Sequence, residues 1–536
     1  MDLRGDCVPS LLKSNLVVAS GTALSRVSGL ARIIVFGYVI GQTALADAYR
    51  VGNETPNIVY ELLLGGVLSA TLVPLFTSFD ERDDEESTNV VITVGMVLLA
   101  GLTVVAVLAA PLIFGLYTLA PGGNVDVDQF REVGTLLTRV FLLQIFFYGA
   151  TALANGWLNS QRRFFAAAWS PILPNVIIII SLLTLPDAGS REWTLGDVID
   201  DGRVRWTLGL GATVGIAAMA LVLIVAVRRS GLRFRPRLDF RHPAVRRLLT
   251  LSGWTLGYVV ANQVVVVVVR NLAEPGSGDA AAYFDAYTFF VLPHGLLAMS
   301  IATTFVPEMA RAVARRDRDG FTSRTSLGVR LIALLVIPAG IVLFVLRRAI
   351  VGVFLEHGEY TPAAADNTAR ALAGFALGLL GFSIYLFALR GFFAHQDTRT
   401  PFVINLVECA LNIILAFALA PAYGILGLAI AFAIANVVGA LWALQVLAYK
   451  VPGFPVRNVI TSLWPMVLAG AVAAEVMWLV SRRVGGNAGA EALLRLTVGG
   501  VVGLVVYVAL LLALRVPEMT AVLDRVRPGR ASSAAT

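Results

Sequence analysis

The chain has 536 residues, 57% hydrophobic and only 14% charged, and its 42 Lys and Arg against 35 Asp and Glu leave a net charge of +7. Soluble domains are about 45–50% apolar and about 25% charged; with a mean hydropathy of +0.78, this chain has too little charge to cover a water-facing surface. Soluble and disordered classes are excluded, and an all-α polytopic membrane protein remains.

A membrane-crossing helix needs roughly 20 mostly apolar residues. The first such run, 14–40, contains Arg26 and Arg32 and lacks a small-residue cleavage pattern. It is expected to be a retained first span and not a signal peptide. The second, 47–78, opens with Asp47-Ala-Tyr-Arg50 and continues through Asn53, Glu54, Pro56, Tyr60 and Glu61. Runs 90–121 and 140–161 follow, then a fifth span beyond Arg162 and Arg163, then 206–227. The second half begins with 248–269, ending at Arg270, and continues with 282–308, which carries Asp285, Pro293 and His294. Runs 325–354 and 371–389 precede a long stretch, 400–449, whose Pro421-Ala-Tyr-Gly424 signals a turn between two spans. Runs 458–481 and 496–514 complete about fourteen helices.

Lys and Arg in the short loops set orientation. The loop after span six carries Arg228, Arg229, Arg233, Arg235, Arg237 and Arg241, and the loop after span eight carries Arg311, Arg315, Arg316, Arg318 and Arg324. Loops 121–129, 274–279 and 355–366 are acidic or neutral, which places both termini in the cytoplasm. Two loops dissent: 80–86 is acidic but assigned inside, and Arg482-Arg483 is basic but assigned outside; acids weigh little here, so the second is the real exception. The basic excess is thus explained by topology and anionic lipid headgroups, and no nucleic-acid partner is expected.

The chain resembles itself at an offset of about 235 residues: Asp47-Ala-Tyr49 matches Asp285-Ala-Tyr287, Ala70–Pro74 matches Thr303–Pro307, and Gly156–Gln161 matches Gly391–Gln396. The offset spans six helices, so the halves are parallel repeats, a plan that suits a transporter. The expected organisation is an N-terminal lobe, 1–240, a C-terminal lobe, 241–452, two extra helices within 453–516, and a cytoplasmic tail, 517–536.

Ionised groups in hydrocarbon are costly and tend to be functional. They cluster on spans one, two, seven and eight. Arginine stays charged and grips phosphate bidentately. Arg26, Arg32, Arg50 and Arg270 are therefore the candidate substrate-binding cations of a central cavity, with Asp47, Asn53, Glu61 and Asp285 as gating or orienting groups. Structural ion pairing is the competing account of the same charges. His294 reads as a hydrogen-bonded core residue, and Glu408 and Glu475 as isolated acids, each read either as a coupling-ion site or as a lipid-edge or neutral, paired carboxyl. No catalytic residue and no metal site emerges: four histidines and two cysteines lie outside ligand spacing. The acids of 80–86 read as a solvated linker, and no nucleotide-binding Gly-rich loop is present. An enzyme is not expected.

Ser25-Arg26-Val-Ser-Gly29-Leu-Ala-Arg32, Ala46-Asp47-Ala48, Pro56-Asn57 and Val73-Pro74 resemble the start of the MurJ/MviN family, and 56–66 resembles its actinobacterial branch. Leu292-Pro293-His-Gly295, Arg390-Gly-Phe392 and Asp397–Pro401 continue the likeness. The resemblance implies a flippase that moves lipid II, the undecaprenyl-pyrophosphate-linked peptidoglycan precursor, between leaflets of the bacterial cytoplasmic membrane by alternating access. It implies a cationic cavity lined by spans one, two, seven and eight, and a tail groove at spans thirteen and fourteen. Ile33, Tyr60-Glu61 and Thr288 depart from the family's charged pattern, and Arg50 and Arg270 are the expected substitutes. Coupling to membrane potential or a monovalent cation, and contact with cell-wall synthesis or division machinery, are further expectations. The alternatives are an exporter of another polyprenyl-linked saccharide or small molecule, and an enzyme acting on polyprenyl phosphates.

Overall fold

A computed structural model describes residues 7–62, 72–122, 125–161, 163–245 and 253–520, without the side chains of 7–17, 19, 59–62, 74 and 253–256. Among the described residues, eleven helices are long and apolar enough to cross a bilayer. One of them, Arg399–Lys450, is two rods joined at Gly424, whose φ of +56° breaks the helix. The Pro421–Gly424 signal thus marks a real bend: glycine enters this left-handed region without steric cost. Counting those rods separately and adding Ala44–Leu62 and Gly253–Leu272 accounts for the fourteen helices expected from the sequence.

The chain forms two compact units, 1–281 with 357–361, and 282–356 with 362–536. The first contains α1 (Cys7–Ile40), α2 (Ala44–Leu62), α3 (Val73–Asp80), α4 (Glu85–Leu108), α5 (Ala110–Tyr117), α6 (Val127–Leu142), α7 (Gln144–Ser160), α8 (Phe164–Trp169), α9 (Ile172–Leu183), α10 (Leu195–Asp200), α11 (Gly202–Arg229) and α12 (Gly253–Leu272). The unit boundary lies beyond the repeat boundary expected near 240, because α12, the first helix of the second repeat, belongs with the first unit. α2 packs on α6, and α11 on α7 and α9. Their shared core holds Phe36, Tyr49, Phe130 and Phe141, each at most 5% exposed.

Aspartates start several of these rods where apolar sequence meets water. Asp84 accepts from the Ser87 amide at 2.9 Å, and Asp126 from the amides of Asp128 and Gln129, both at 3.1 Å. Each satisfies an amide that the first helical turn leaves without a partner. The acids of 80–86 therefore include a helix cap. Outward faces are apolar instead: Val104, Val105, Leu108 and Leu112 are all more than half exposed, a surface suited to lipid.

The second unit contains most of α13 (Asp279–Pro293), then a π-helical turn at His294–Ala298, α14 (Met299–Ala314), α15 (Arg318–Val345), α16 (Arg347–Phe354), α17 (Pro362–Ala394), α18 (Arg399–Lys450), α19 (Val456–Ser481) and α20 (Gly489–Ala513). α17 packs along α18 through small residues: a Cβ on Gly374 would meet Ala429, and one on Gly378 would meet Ala433, each under 3 Å. Four-residue spacing on both helices lets the backbones approach closely. α19 and α20 pack together, and α19 also lies on α15 around Met466, Ala469 and Tyr507. His294 is buried and shares a 3.0 Å hydrogen bond with Ser383 Oγ, as expected of a core histidine.

Candidate functional site

The charged stripe starts where α1 ends. Gly41, at φ +69°, turns the chain into α2, and Asp47 stands in the first turn of that helix. Asp47 is wholly buried, and its carboxylate accepts three backbone N–H groups. Oδ2 accepts from Gly276 at 2.8 Å and Gly278 at 3.0 Å, and Oδ1 from Ala281 at 2.8 Å. Gly276 and Gly278 have φ of +93° and +89°, and a Cβ on Gly278 would lie 2.8 Å from the Gln42 carbonyl oxygen. Only glycine fits such backbone at such proximity. The carboxylate therefore sits at the start of two helices, α2 and α13, where a negative charge is favoured.

One turn along α2, Arg50 is buried. Its Nη1 donates to the Ala281 carbonyl at 3.4 Å, and its guanidinium lies 4.8 Å from the centre of the Phe36 ring. A further turn on, Glu54 forms an ion pair with Arg270 of α12, which also lies over the Tyr117 ring at 5.7 Å. Positions 47, 50 and 54 share one face of α2. Two acids meet two arginines there, so the cluster is formally neutral.

The neighbouring loops close around this stripe. Asn271 Oδ1 accepts from the amides of Leu119 at 2.5 Å and Ala120 at 3.3 Å, and Gly122 N donates to the Pro275 carbonyl at 2.9 Å. Glu359 N donates to the Tyr38 carbonyl at 3.0 Å, and Gln42 Nε2 to the Tyr360 hydroxyl at 2.5 Å. The loops after spans one, three, seven and nine thus gather at one end of the first unit, as loops on one membrane side must.

The other expected residues are placed differently. Arg26 is exposed on α1 and Arg32 half-buried, and among the described residues neither has a carboxylate partner. Asn53 faces the interior of the unit, accepting from Gln144 Nε2 at 3.2 Å. Glu61 continues the spacing of the stripe, but its side chain lies outside the described residues. Asp285 belongs to the second unit, wholly buried on α13. In that unit Glu408 is buried, its Oε1 accepting from Asn436 Nδ2 at 3.1 Å, whereas Glu475 is exposed. Sequence reasoning missed Glu54 as the partner of Arg270, and the Gly276–Gly278 nest. The 47, 50, 54 spacing and the Pro275-Gly-Ser-Gly278 turn were the available signals.

Comparison with known proteins agrees with this architecture. A relative from Rhizobium meliloti (strain 1021), described as a probable lipid II flippase MurJ, is 30% identical over 88% of this chain and 86% of its own length. A probable lipid II flippase MurJ from Vibrio cholerae is 26% identical over 94% of this chain and 96% of its own. Among solved structures, a lipid II flippase MurJ in an inward closed conformation superposes with a TM-score of 0.75 at 22% identity, covering 96% of this chain and all of that one. An inward-facing MATE family multidrug transporter shares the fold, with a TM-score of 0.64 at 14% identity over 83% of this chain and 99% of its own. The sequence model of the lipid II flippase MurJ family matches residues 36–499, and the chain, a multi-pass membrane protein, belongs to that family.

Proposed function

We propose that this chain carries lipid II from the inner to the outer leaflet of the bacterial cytoplasmic membrane by alternating access, with both termini in the cytoplasm. The observation that carries the reading is the division of the charged residues. Arg50 and Arg270 are held by Ala281, Phe36 and Glu54, whereas Arg26 and Arg32 on α1 lack a carboxylate partner among the described residues. Arg26 and Arg32 are the groups for the pyrophosphate, which guanidinium planes grip bidentately. Asp47, Arg50, Glu54 and Arg270 form the lock at one end of the first unit. The headgroup crosses chemically unchanged, so the residues bind, orient and release it. Asn53 and Glu61 support the stripe, and Asp285 holds the equivalent place on the second unit.

A cationic site responds to membrane potential by about 2.3 kcal/mol per charge per 100 mV, and Glu408 with Asn436 is the acid best placed to take a monovalent cation. Cell-wall synthesis or division machinery is the expected partner in the membrane. Complementation tests the reading: cells depleted of their own lipid II flippase receive the parent chain, Arg26→Ala, Arg32→Ala or the corresponding Lys variants. The parent should rescue, the Ala variants should fail at equal membrane levels, and the Lys variants should rescue in part. Rescue by an Arg26→Ala/Arg32→Ala double variant would refute the assignment.

A further inference from the structure

α11 ends in Arg228-Arg229, and the linker that leaves it carries four further arginines and one acid between Ser230 and Arg241. Its middle is pinned along the first turns of α4. The Asn89 side chain bridges it twice, donating from Nδ2 to the Arg233 carbonyl at 3.3 Å and accepting at Oδ1 from the Arg235 amide at 3.0 Å. Thr93 Oγ1 accepts from the Arg237 amide at 3.1 Å, and Arg237 pairs with Glu86 at 2.9 Å. Asn89 and Thr93 are one helical turn apart, about 6 Å, and the linker covers that rise with two residues. Extended chain advances about 3.3 Å per residue, so 233–237 is an extended arm. Pro236 enforces this, because the residue before proline is steered into extended backbone.

Extended backbone sends alternate side chains to opposite faces. Over the extended stretch 233–238, odd positions hold Arg233, Arg235 and Arg237 and even positions hold Phe234 and Leu238; the arm then ends in a turn, closed by the His242 amide on the Asp239 carbonyl at 3.4 Å, that carries Phe240 and Arg241. All of 233–241 is exposed, with Phe234 at 48%, Leu238 at 58% and Phe240 at 51%. Leu232 anchors the near end on the core around Leu72 and Phe76. The arm lies where α11 ends and α4 begins, beside Trp157, whose Nε1 donates to Ser230 Oγ at 2.8 Å. The start of α4 and the end of α11 are ends of candidate membrane spans, which sets the arm at the level of a membrane–water boundary.

We propose that residues 233–241 form an amphipathic docking arm for an anionic phospholipid surface. Phe234, Leu238 and Phe240 enter the boundary of the acyl chains, and Arg233, Arg235 and Arg241 lie on the phosphates. Charge complementarity and the alternation of aromatic and basic side chains select this occupant: phosphate alone would leave the three large apolar groups in water. The test is amide exchange across 232–241 in the full chain, in phosphatidylcholine nanodiscs with and without phosphatidylglycerol. Each engaged arginine is expected to slow exchange about fivefold in the anionic discs. Arg233→Gln/Arg235→Gln/Arg241→Gln should abolish the difference between the lipids, and Phe234→Ser/Leu238→Ser/Phe240→Ser should weaken protection in both, with exchange in α4 unchanged as the control for folding. Equal exchange of the parent in the two lipids would overturn the proposal. So would retention of the full difference by the Gln variant, or equal slowing by inorganic phosphate or RNA added to the phosphatidylcholine discs.

Discussion

Replacing Asp47 by Asn removes one charge and almost no volume, so it isolates the electrostatic part of the nest. The carboxylate accepts from Gly276, Gly278 and Ala281 at 2.8–3.0 Å. Hydrogen bonds to an ionised group contribute about 1.5–3 kcal/mol each, and a buried donor left without an acceptor costs about 1–3 kcal/mol. The amide oxygen of Asn retains the two glycine N–H groups as neutral bonds, which turns its NH2 toward the Ala281 N–H, donor against donor. Losing that bond and weakening the other two should cost about 3 kcal/mol, or roughly a hundredfold in the opening equilibrium of 274–281. Amide exchange at Gly276, Gly278 and Ala281 in detergent micelles measures it directly. Ala281 should lose the most protection, while amides in α6 and α11 keep theirs. Unchanged protection at Ala281 would refute the claim that the carboxylate holds the first turn of α13.

Three further outcomes follow from the same geometry. Gly278→Ala forces a side chain into φ +89° with its Cβ 2.8 Å from the Gln42 carbonyl; it should lower thermal stability by about 1–3 kcal/mol, whereas Gly101→Ala, with nothing within 4 Å of the added Cβ, should not. Arg270→Ala leaves Glu54 without its ion-pair partner and should cost about 3–5 kcal/mol, with Glu54→Ala added restoring a large part; a double-mutant cycle by thermal unfolding gives the coupling, and strict additivity would deny the pair. At the water-exposed turn before α18, burial alone would push the Asp397 carboxyl up, but Lys450 and the amide and hydroxyl of Thr400 outweigh it and hold it down at about 2, below the ordinary 3.8. A carboxyl lowered by folding stabilises above its unfolded value, and that contribution is lost as pH falls through the folded one. Protection of the Thr400 amide should therefore be level between about pH 5 and 8 and decline only below about pH 4; a decline near neutral pH that Asp397→Asn removes would contradict the assignment.

The apolar rods were legible because a bilayer leaves few alternatives to a long uncharged helix. The bend at Gly424 was legible because Pro421 and Gly424 lie within an apolar run too long for one span. The clustering of charge on spans one, two, seven and eight was equally visible. Its division into groups held by partners and groups with no carboxylate partner among the described residues was not. The 47, 50, 54 spacing sets Glu54 on the charged face of α2, but Arg270 is far away in sequence and the spacing does not name it as the partner. The repeat offset located two copies of a helical plan, but it records side-chain type and not partner. It could not foresee that Asp47 and Glu54 would draw the 270–281 region into the first unit. The role of Asp47 itself depends on backbone amides, which every residue but proline possesses and no composition reveals.

Residues 357–361 fall within the second repeat expected from the sequence yet reside with the first unit, where Gly358 packs so closely that a Cβ there would collide with the Tyr38 carbonyl oxygen. α12 likewise belongs with the first unit. A gene cut at the repeat boundary would therefore give one fragment lacking its own closing pieces and another carrying them with no place to put them. The first unit is thus completed by segments from the second half of the sequence, and no single continuous stretch of the gene encodes it.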